Sequence, residues 1–235
     1  MIDLSKYLDP YERCARMYPG LICLFPIIIG TYSSFPAAYK TLSGFVTLAA
    51  AVGLLHFLSN VARGMGKRLE PQLFSDWGGV PSVALFRYSD DHIPRPMKER
   101  YHRIMSERTG IQAPSHEQEG SDPRAADQVY RSWSDYLRSQ TRDTQRYSMI
   151  FKENINYGFR RNLLGLKAYC LVAGTIAIAM IAFPVYMSKS WTGDQVAFLF
   201  VLTIYTVLIG LIVKKSWVRF TAYAYAHHLL ESIDS

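Results

Sequence analysis

Arginines recur at positions 124, 131, 138, 142 and 146 of this 235-residue chain. Placed at 100° per residue, all five fall within about 40° of one direction, while Val129, Trp133, Tyr136, Leu137, Tyr147, Phe151 and Ile155 gather on the opposite side. Asp122 and Pro123 supply an N-cap followed by proline at the first helical position. The spacing therefore predicts one long amphipathic helix from Asp122 to about Ile155, ~50 Å at the standard rise. Guanidinium groups bind phosphate through paired hydrogen bonds and stack on bases, where an ammonium acts as a point charge. The segment 63–167 carries 14 arginines and 4 lysines. Two readings stand side by side. In one, Arg131, Arg138, Arg142 and Arg146 hold a phosphate-bearing ligand such as a nucleotide, an oligonucleotide or a lipid headgroup. In the other the stripe is a solvated face, with Asp135 and Glu153 intruding on it.

A second concentration of chemistry follows directly. Glu153-Asn154-Ile155-Asn156-Tyr157-Gly158-Phe159-Arg160-Arg161-Asn162 combines three asparagines, a glycine break and paired arginines just before an apolar run. Asparagine offers donor and acceptor together, suited to reading a base or to satisfying a bent backbone. Asn154, Asn156, Arg160 and Arg161 are thus candidates to extend a ligand site and to convey its occupancy onward. An aromatic and arginine collar at lipid headgroups uses the same residue types.

The remaining candidates are sparser. His56 is the ionisable side chain well inside an apolar run, and with Ser33 and Ser34 it is a candidate pore or gate residue. Asp90, Asp91, His92 and His102 are the types that gather round a metal, but no standard spacing joins them. His227-His228 stands in the tail with no acidic partner evident. HExxH, GxSxG and paired-cysteine spacings are absent, so no enzyme activity, cofactor or metal is expected. Arg63 to Arg68 only superficially resembles a phosphate loop and is expected to terminate a helix through its glycines. Cys14, Cys23 and Cys170 are expected to be free thiols.

These groups must be positioned by a chain of two unlike populations. Mean hydropathy is +0.01 with 19% charged residues, an ordinary soluble average. Yet four apolar runs, about Gly20–Ala38, Thr41–Ala62, Ala168–Met187 and Gln195–Val213, are each long enough to cross a hydrocarbon core of ~30 Å. That excludes a simple soluble globule, a disulfide-stapled module and a disordered tail. Lys6, Arg13, Arg16, Lys214, Lys215 and Arg219 flank the outer runs, and segment 63–167 holds 18 of the 26 basic residues. The positive-inside rule then places both termini and the central segment in the cytoplasm. The net charge of +7 is partly topological. Ala49-xxx-Gly53 and Ala173-xxx-Ala177 are small-residue patterns that favour close helix packing.

The expected fold class is an α-helical integral membrane protein, with four transmembrane helices in two hairpins and a mainly helical cytoplasmic domain inserted between them. Its parts are an N-terminal arm (1–19), hairpin 1 (20–62), the Arg-rich domain (63–167), hairpin 2 (168–213) and a C-terminal helix (214–235). Within the inserted domain a strand is expected at Val83–Tyr88, a helix at Pro96–Arg108 stopped by Gly110, and a loop over Ile111–Ser121.

With two hairpins, an Arg-rich insertion, the Glu153–Asn162 run and no enzyme motif, the chain resembles the small four-span membrane effectors of bacterial anti-phage operons. The ligand-gated channel of Hailong-type defence is the most similar in concept. The resemblance implies a homo-oligomer in the inner membrane whose cytoplasmic part binds single-stranded DNA and controls an ion path. The competing expectation is a non-conducting membrane scaffold that uses its apolar stripe to recruit a cytoplasmic protein partner.

Overall fold

The structure, a computed structural model, describes residues 9–41 and 44–234, with the side chains of all of these except 38, 40, 41, 44–49 and 51. Lys6, expected to flank the first run, lies outside the described residues, and Lys40 and Ala49 lie outside the described side chains. Every regular element among the described residues is helical. A π-helical segment, Glu12–Met17, leads into α1 (Tyr18–Ser34). Then come α2 (Pro36–Thr41), α3 (Gly44–Asp76), α4 (Pro81–Ala84) and α5 (Arg95–Thr109). They are followed by α6 (His116–Ser121), α7 (Pro123–Gln140), α8 (Ser148–Ser188), α9 (Gly193–Ile212) and α10 (Lys215–Glu231).

Among the described residues three helical stretches are long and apolar enough to cross a membrane: Glu12–Ser34, Ser148–Ser188 and Gly193–Ile212. Of the remaining apolar run, Thr41 ends α2, residues 42–43 are outside the described residues, and Gly44 to Ala62 lies in α3. The chain divides into two compact units, one of residues 1–69 and 158–218, the other of 70–157 and 219–235.

In the first unit, Cys23, Ala62, Leu163, Leu166, Cys170, Ile209 and Val213 form a buried cluster. Backbones approach closely where side chains are smallest. A Cβ on Gly165 would stand 2.7 Å from the Gly66 nitrogen, and one on Gly66 would stand 3.0 Å from the Asn162 Cα. The glycines of the 63–68 run therefore do not end a helix; α3 continues to Asp76, and Gly66 opens a place for α8 to cross. Gly30 meets Ala177 in the same manner, with a Cβ there only 2.9 Å from the Ala177 Cβ, which is the close packing that small residues permit. Gly158 does not break α8 either; a Cβ there would meet Ala15 at 3.0 Å. Around this core the surface is apolar: Val172, Ile176, Phe183, Tyr186, Phe200 and Leu211 are all exposed. An exposed apolar surface of that extent requires a non-aqueous neighbour.

Several side chains of this unit donate to backbone carbonyls of neighbouring helices. Lys167 Nζ donates to the carbonyls of Gly210 (3.0 Å) and Val213 (2.8 Å), satisfying acceptors that the end of α9 leaves open. Tyr205 donates to the Ile22 carbonyl at 3.0 Å. Cys14, Cys23 and Cys170 are free thiols.

The second unit is an aromatic-centred helical core. Phe86, Tyr130 and Trp133 are 0% exposed, with Phe86 stacked on Tyr130 at 5.8 Å and edge-on to Trp133 at 5.4 Å. Met105, Leu137, Leu229, Leu230 and Ile233 complete it. The C-terminal helix thus supplies core residues to this unit. Three local expectations are corrected here. Val83–Tyr88 is not a strand: Pro81 starts the short helix α4, Leu85 donates to the Pro81 carbonyl, and Val83 to Phe86 are all buried with no alternation. A short apolar run cannot be assigned by periodicity alone. The second half of Ile111–Ser121 is helical, started by a capping box between Ser115 and Gln118. The helix at Arg95–Thr109 does end at Gly110, which takes φ 70.

The third correction concerns the long amphipathic helix. Asp122 caps α7 through the Ala125 N–H at 3.0 Å, as its sequence indicates. But α7 stops at Gln140. The Thr141 hydroxyl turns back to the Leu137 carbonyl, and Asp143 Oδ1 accepts from the N–H groups of Gln145 (2.9 Å) and Arg146 (3.1 Å). These side-chain bonds give the backbone an alternative to the helix. The N–H groups of Arg146 and Gln145 also hold the Asp143 carboxyl below the usual carboxylate range. A new helix, α8, starts at Ser148.

Candidate anion-binding cleft in the aromatic-centred unit

The helix break divides the arginine stripe. Arg131 and Arg138 remain on α7, while Arg142 and Arg146 lie in the connecting turn. Arg138 is exposed and engages Asp135 and the Ser134 carbonyl. Arg146 lies over the Tyr147 ring at 5.2 Å. Of the four, Arg131 borders a cavity.

That cavity, of about 520 Å³, lies between the end of α3, the Gly78-Gly79 turn, α4 and α7, and belongs wholly to the second unit. Its polar lining is Ser75, Arg87, Asp127, Gln128 and Arg131. The turn is built by glycines with φ 80 and φ 140, and a Cβ on Gly79 would stand 2.7 Å from Arg87 Nη2. Only glycine leaves room there for the guanidinium at that backbone angle.

Arg87 then clamps the cleft. Its Nε and Nη2 donate to the two Asp127 oxygens, each at 2.7 Å, and Nη1 donates to the Gly78 carbonyl at 2.6 Å. This is the bidentate geometry that suits a planar guanidinium. The paired carboxylate raises the Arg87 pKa above its usual value, against a smaller opposing effect of burial. Asp127, Gln128 and Arg131 stand on successive turns of one face of α7, so the clamp fixes the helix that presents Arg131. Chemically the cleft offers a fixed but charge-compensated Arg87–Asp127 pair and, at its rim, an exposed guanidinium beside an amide. That is a place for an anionic group to lodge between Arg131 and Gln128. Arg87, Asp127, Gln128 and Ser75 were not singled out from the sequence. The legible signal was the Trp77-Gly78-Gly79 turn, whose tight geometry implies a close approach.

The other candidates fall elsewhere. Asn156 donates to Glu153 at 3.4 Å, and Asn154 is half-buried on α8. In the first unit Arg160 donates to the Trp217 carbonyl at 2.9 Å and lies over its ring at 4.7 Å. Arg161 is buried against Asn162 Oδ1, and Asn162 donates to the Ala15 carbonyl at 2.7 Å. His56 is exposed beside Asn60, with 3.2 Å between Nε2 and Nδ2. Ser33 and Ser34 close α1, and Ser34 donates to the Met180 carbonyl at 3.4 Å.

Asp90, Asp91, His92 and His102 are not gathered. His92 pairs with Asp90 at 3.0 Å. His102 is buried among rings, its Nε2 bonded to the Phe86 carbonyl at 2.8 Å and its Nδ1 to the Tyr88 hydroxyl at 3.2 Å. Nε2–H donating while Nδ1 accepts is the neutral tautomer. Burial accordingly lowers the His102 pKa. Nearby, Glu119 accepts from the Tyr130 hydroxyl at 2.7 Å and from the Tyr88 and Ser89 N–H groups. Lys98 is also buried; its ammonium donates to the Arg87 and Asp90 carbonyls, and burial lowers its pKa. His227 and His228 do have an acidic partner, since Glu231 lies three and four residues on along α10 and pairs with both.

An all-helical chain with several apolar helices of membrane-crossing length is the architecture of a multi-pass helical membrane protein. Comparison with protein-family models, with characterised proteins and with solved structures finds no match.

Proposed function

We propose that the chain is an oligomeric inner-membrane channel or pore-forming effector, gated by a phosphate-bearing ligand bound at the Arg131 cleft, and acting in anti-phage defence. The observation that carries this reading is the pairing of a rigidly clamped, arginine-rimmed cleft with a bundle of helices whose outer surface is apolar. In this reading the Thr41–Ala62 run completes four crossings. Both termini and the Arg-rich unit then face the cytoplasm, where a nucleotide or a single-stranded oligonucleotide can reach the cleft. One protomer is too slim to enclose an aqueous path, so conduction requires several copies, with His56, Ser33 and Ser34 as candidate pore or gate residues. Asn154 and Asn156 stand on α8, which runs unbroken from Ser148 to Ser188. A ligand gates by binding the open and closed arrangements unequally.

The test is binding of short single-stranded oligonucleotides to the full-length protein in detergent, measured by fluorescence anisotropy across a salt series. The phosphate contribution appears as a linear fall of log K with log salt. Arg131→Glu is expected to weaken binding at least tenfold and to reduce that slope by about one. Arg142→Glu, in the turn away from the cleft, is expected to have the smaller effect. Equal losses for the two substitutions would mean a diffuse electrostatic surface instead of a site, and no binding at all would leave the scaffold reading in its place.

A further inference from the structure

The last turn of α10 carries three side chains whose chemistry the proposed ligand cleft does not use. Among the described residues, His227, His228 and Glu231 form a group whose donor atoms all lie within 4.8 Å of one another. We propose that they form a binding site for a divalent transition-metal ion of the zinc class, independent of any ligand at the Arg131 cleft.

The donor set points to that class of ion. Two imidazoles and a carboxylate suit a borderline cation, whereas calcium and magnesium favour shells of oxygen alone. The helix makes the convergence possible, because residues three and four apart share a face. Glu231 is therefore reached by both rings: Nδ1 of His227 lies 3.2 Å from one carboxylate oxygen and Nδ1 of His228 lies 2.6 Å from the other. The rings stand at 89° to each other with centroids 6.2 Å apart. They approach the shared carboxylate from different directions, as ligands round a common ion must.

Donors held at ~2.0–2.2 Å from one zinc lie roughly 3.3 Å apart in tetrahedral geometry. The His227–Glu231 spacing of 3.2 Å is close to this, and the shorter His228–Glu231 spacing of 2.6 Å must open by rotation of the side chains to admit an ion. His227 and Glu231 are about half exposed, at 51% and 50%, so those torsions are not locked by packing. The backbone beneath them is fixed. Leu229, Leu230 and Ile233 are 0% exposed and anchor this turn in the aromatic-centred core.

Beside two of the three ligands, His227 and Glu231, there is open space for further coordination. A cavity of about 290 Å³ is bordered by His227, Glu231, Asp234 and Tyr101, and Asp234 is held there by Arg100 at 2.9 Å. Three protein ligands with an open side form the arrangement of zinc sites that accept water or an exogenous ligand. An ion here would also tie the end of α10 across one turn, so binding is coupled to stability.

The experiment uses the full-length protein in detergent, prepared metal-free and without a polyhistidine tag. It is titrated with Co²⁺ followed by its visible absorption, then with Zn²⁺ in competition, and its thermal unfolding is recorded with Zn²⁺ or Mg²⁺. One equivalent of Co²⁺ is expected, displaced by Zn²⁺, with a rise in Tm for Zn²⁺ and none for Mg²⁺. Glu231→Gln and His228→Ala should each weaken binding at least tenfold, while His116→Ala, at an exposed histidine elsewhere in the unit, should leave it unchanged. Metal-free Tm values of the variants report whether folding is preserved, and the isosteric Glu231→Gln serves if His228→Ala melts early. Absence of a saturable equivalent would overturn the proposal, as would equal affinity in Glu231→Gln and His116→Ala.

Discussion

In the apolar unit the closest contacts are made where side chains are missing, Gly66 against Gly165 and Gly30 against Ala177. In the other unit the core is filled by Phe86, Tyr130 and Trp133, and buried polar groups such as Glu119, Lys98 and His102 each have hydrogen-bond partners. The difference follows from the surroundings each sequence must meet. Helices whose outer surface is apolar gain little from hiding more apolar surface, so backbone proximity and satisfied helix ends organise them. A unit surrounded by charged residues gains from burying large rings, and must then satisfy every polar group it takes in with them.

The largest expected effect lies on the aromatic side of this comparison. Trp133→Ala should cost about 3–5 kcal/mol through the cavity it leaves. Near-ultraviolet circular dichroism should collapse while most far-ultraviolet helicity remains, because the apolar helices do not depend on that ring. Simultaneous loss of both signals would break the comparison. Next comes the glycine crossing. Gly165→Ala should cost about 1–3 kcal/mol by forcing backbones apart, read as a lower Tm in detergent. Gly64→Ala, two residues before the crossing and with open space at its Cβ position, should instead gain about 0.5–1 kcal/mol from helix propensity. Equal effects at the two positions would remove the packing argument.

A smaller, pH-dependent effect sharpens the contrast further. The unfolded chain protonates a histidine near pH 6.5, whereas buried His102 resists protonation below that value. The unfolded state then binds the proton first, so stability is full above about pH 6.5 and falls as the pH drops toward the lowered folded value. Urea midpoints at neutral and mildly acid pH should show this fall, and His102→Gln should flatten it. Smallest of all, Arg138→Ala should shift stability by less than about 0.5 kcal/mol, since its pairing with Asp135 is exposed.

The sequence carried three long apolar helices, the Asp122-Pro123 start and the Gly110 stop, because each rests on local chemistry. It misread the stretch from 83 to 88 because a fully buried turn and a buried strand have the same apolar pattern. It joined α7 to α8 because the apolar periodicity continues through the turn and outweighs the Thr141 and Asp143 side chains, which end the helix by bonding the backbone locally. The cleft was only partly legible. Arg131 belonged to a visible series, but its partners Arg87 and Ser75 lie far from it in sequence, and nothing local marks Arg87 as the clamp on Asp127. The tail histidines His227 and His228 lack an acidic neighbour only until the chain is wound into a helix, where Glu231, three and four residues on, comes onto their face.

The most direct test is ion flux from liposomes containing the purified, nuclease-treated protein, measured before and after adding short single-stranded oligonucleotides, for the native chain and for Arg131→Glu. The expected result is a flux that changes with oligonucleotide in the native protein and responds only at much higher concentration in Arg131→Glu. Liposomes that stay tight under both conditions would contradict the channel reading, and a flux indifferent to oligonucleotide would contradict the gating cleft.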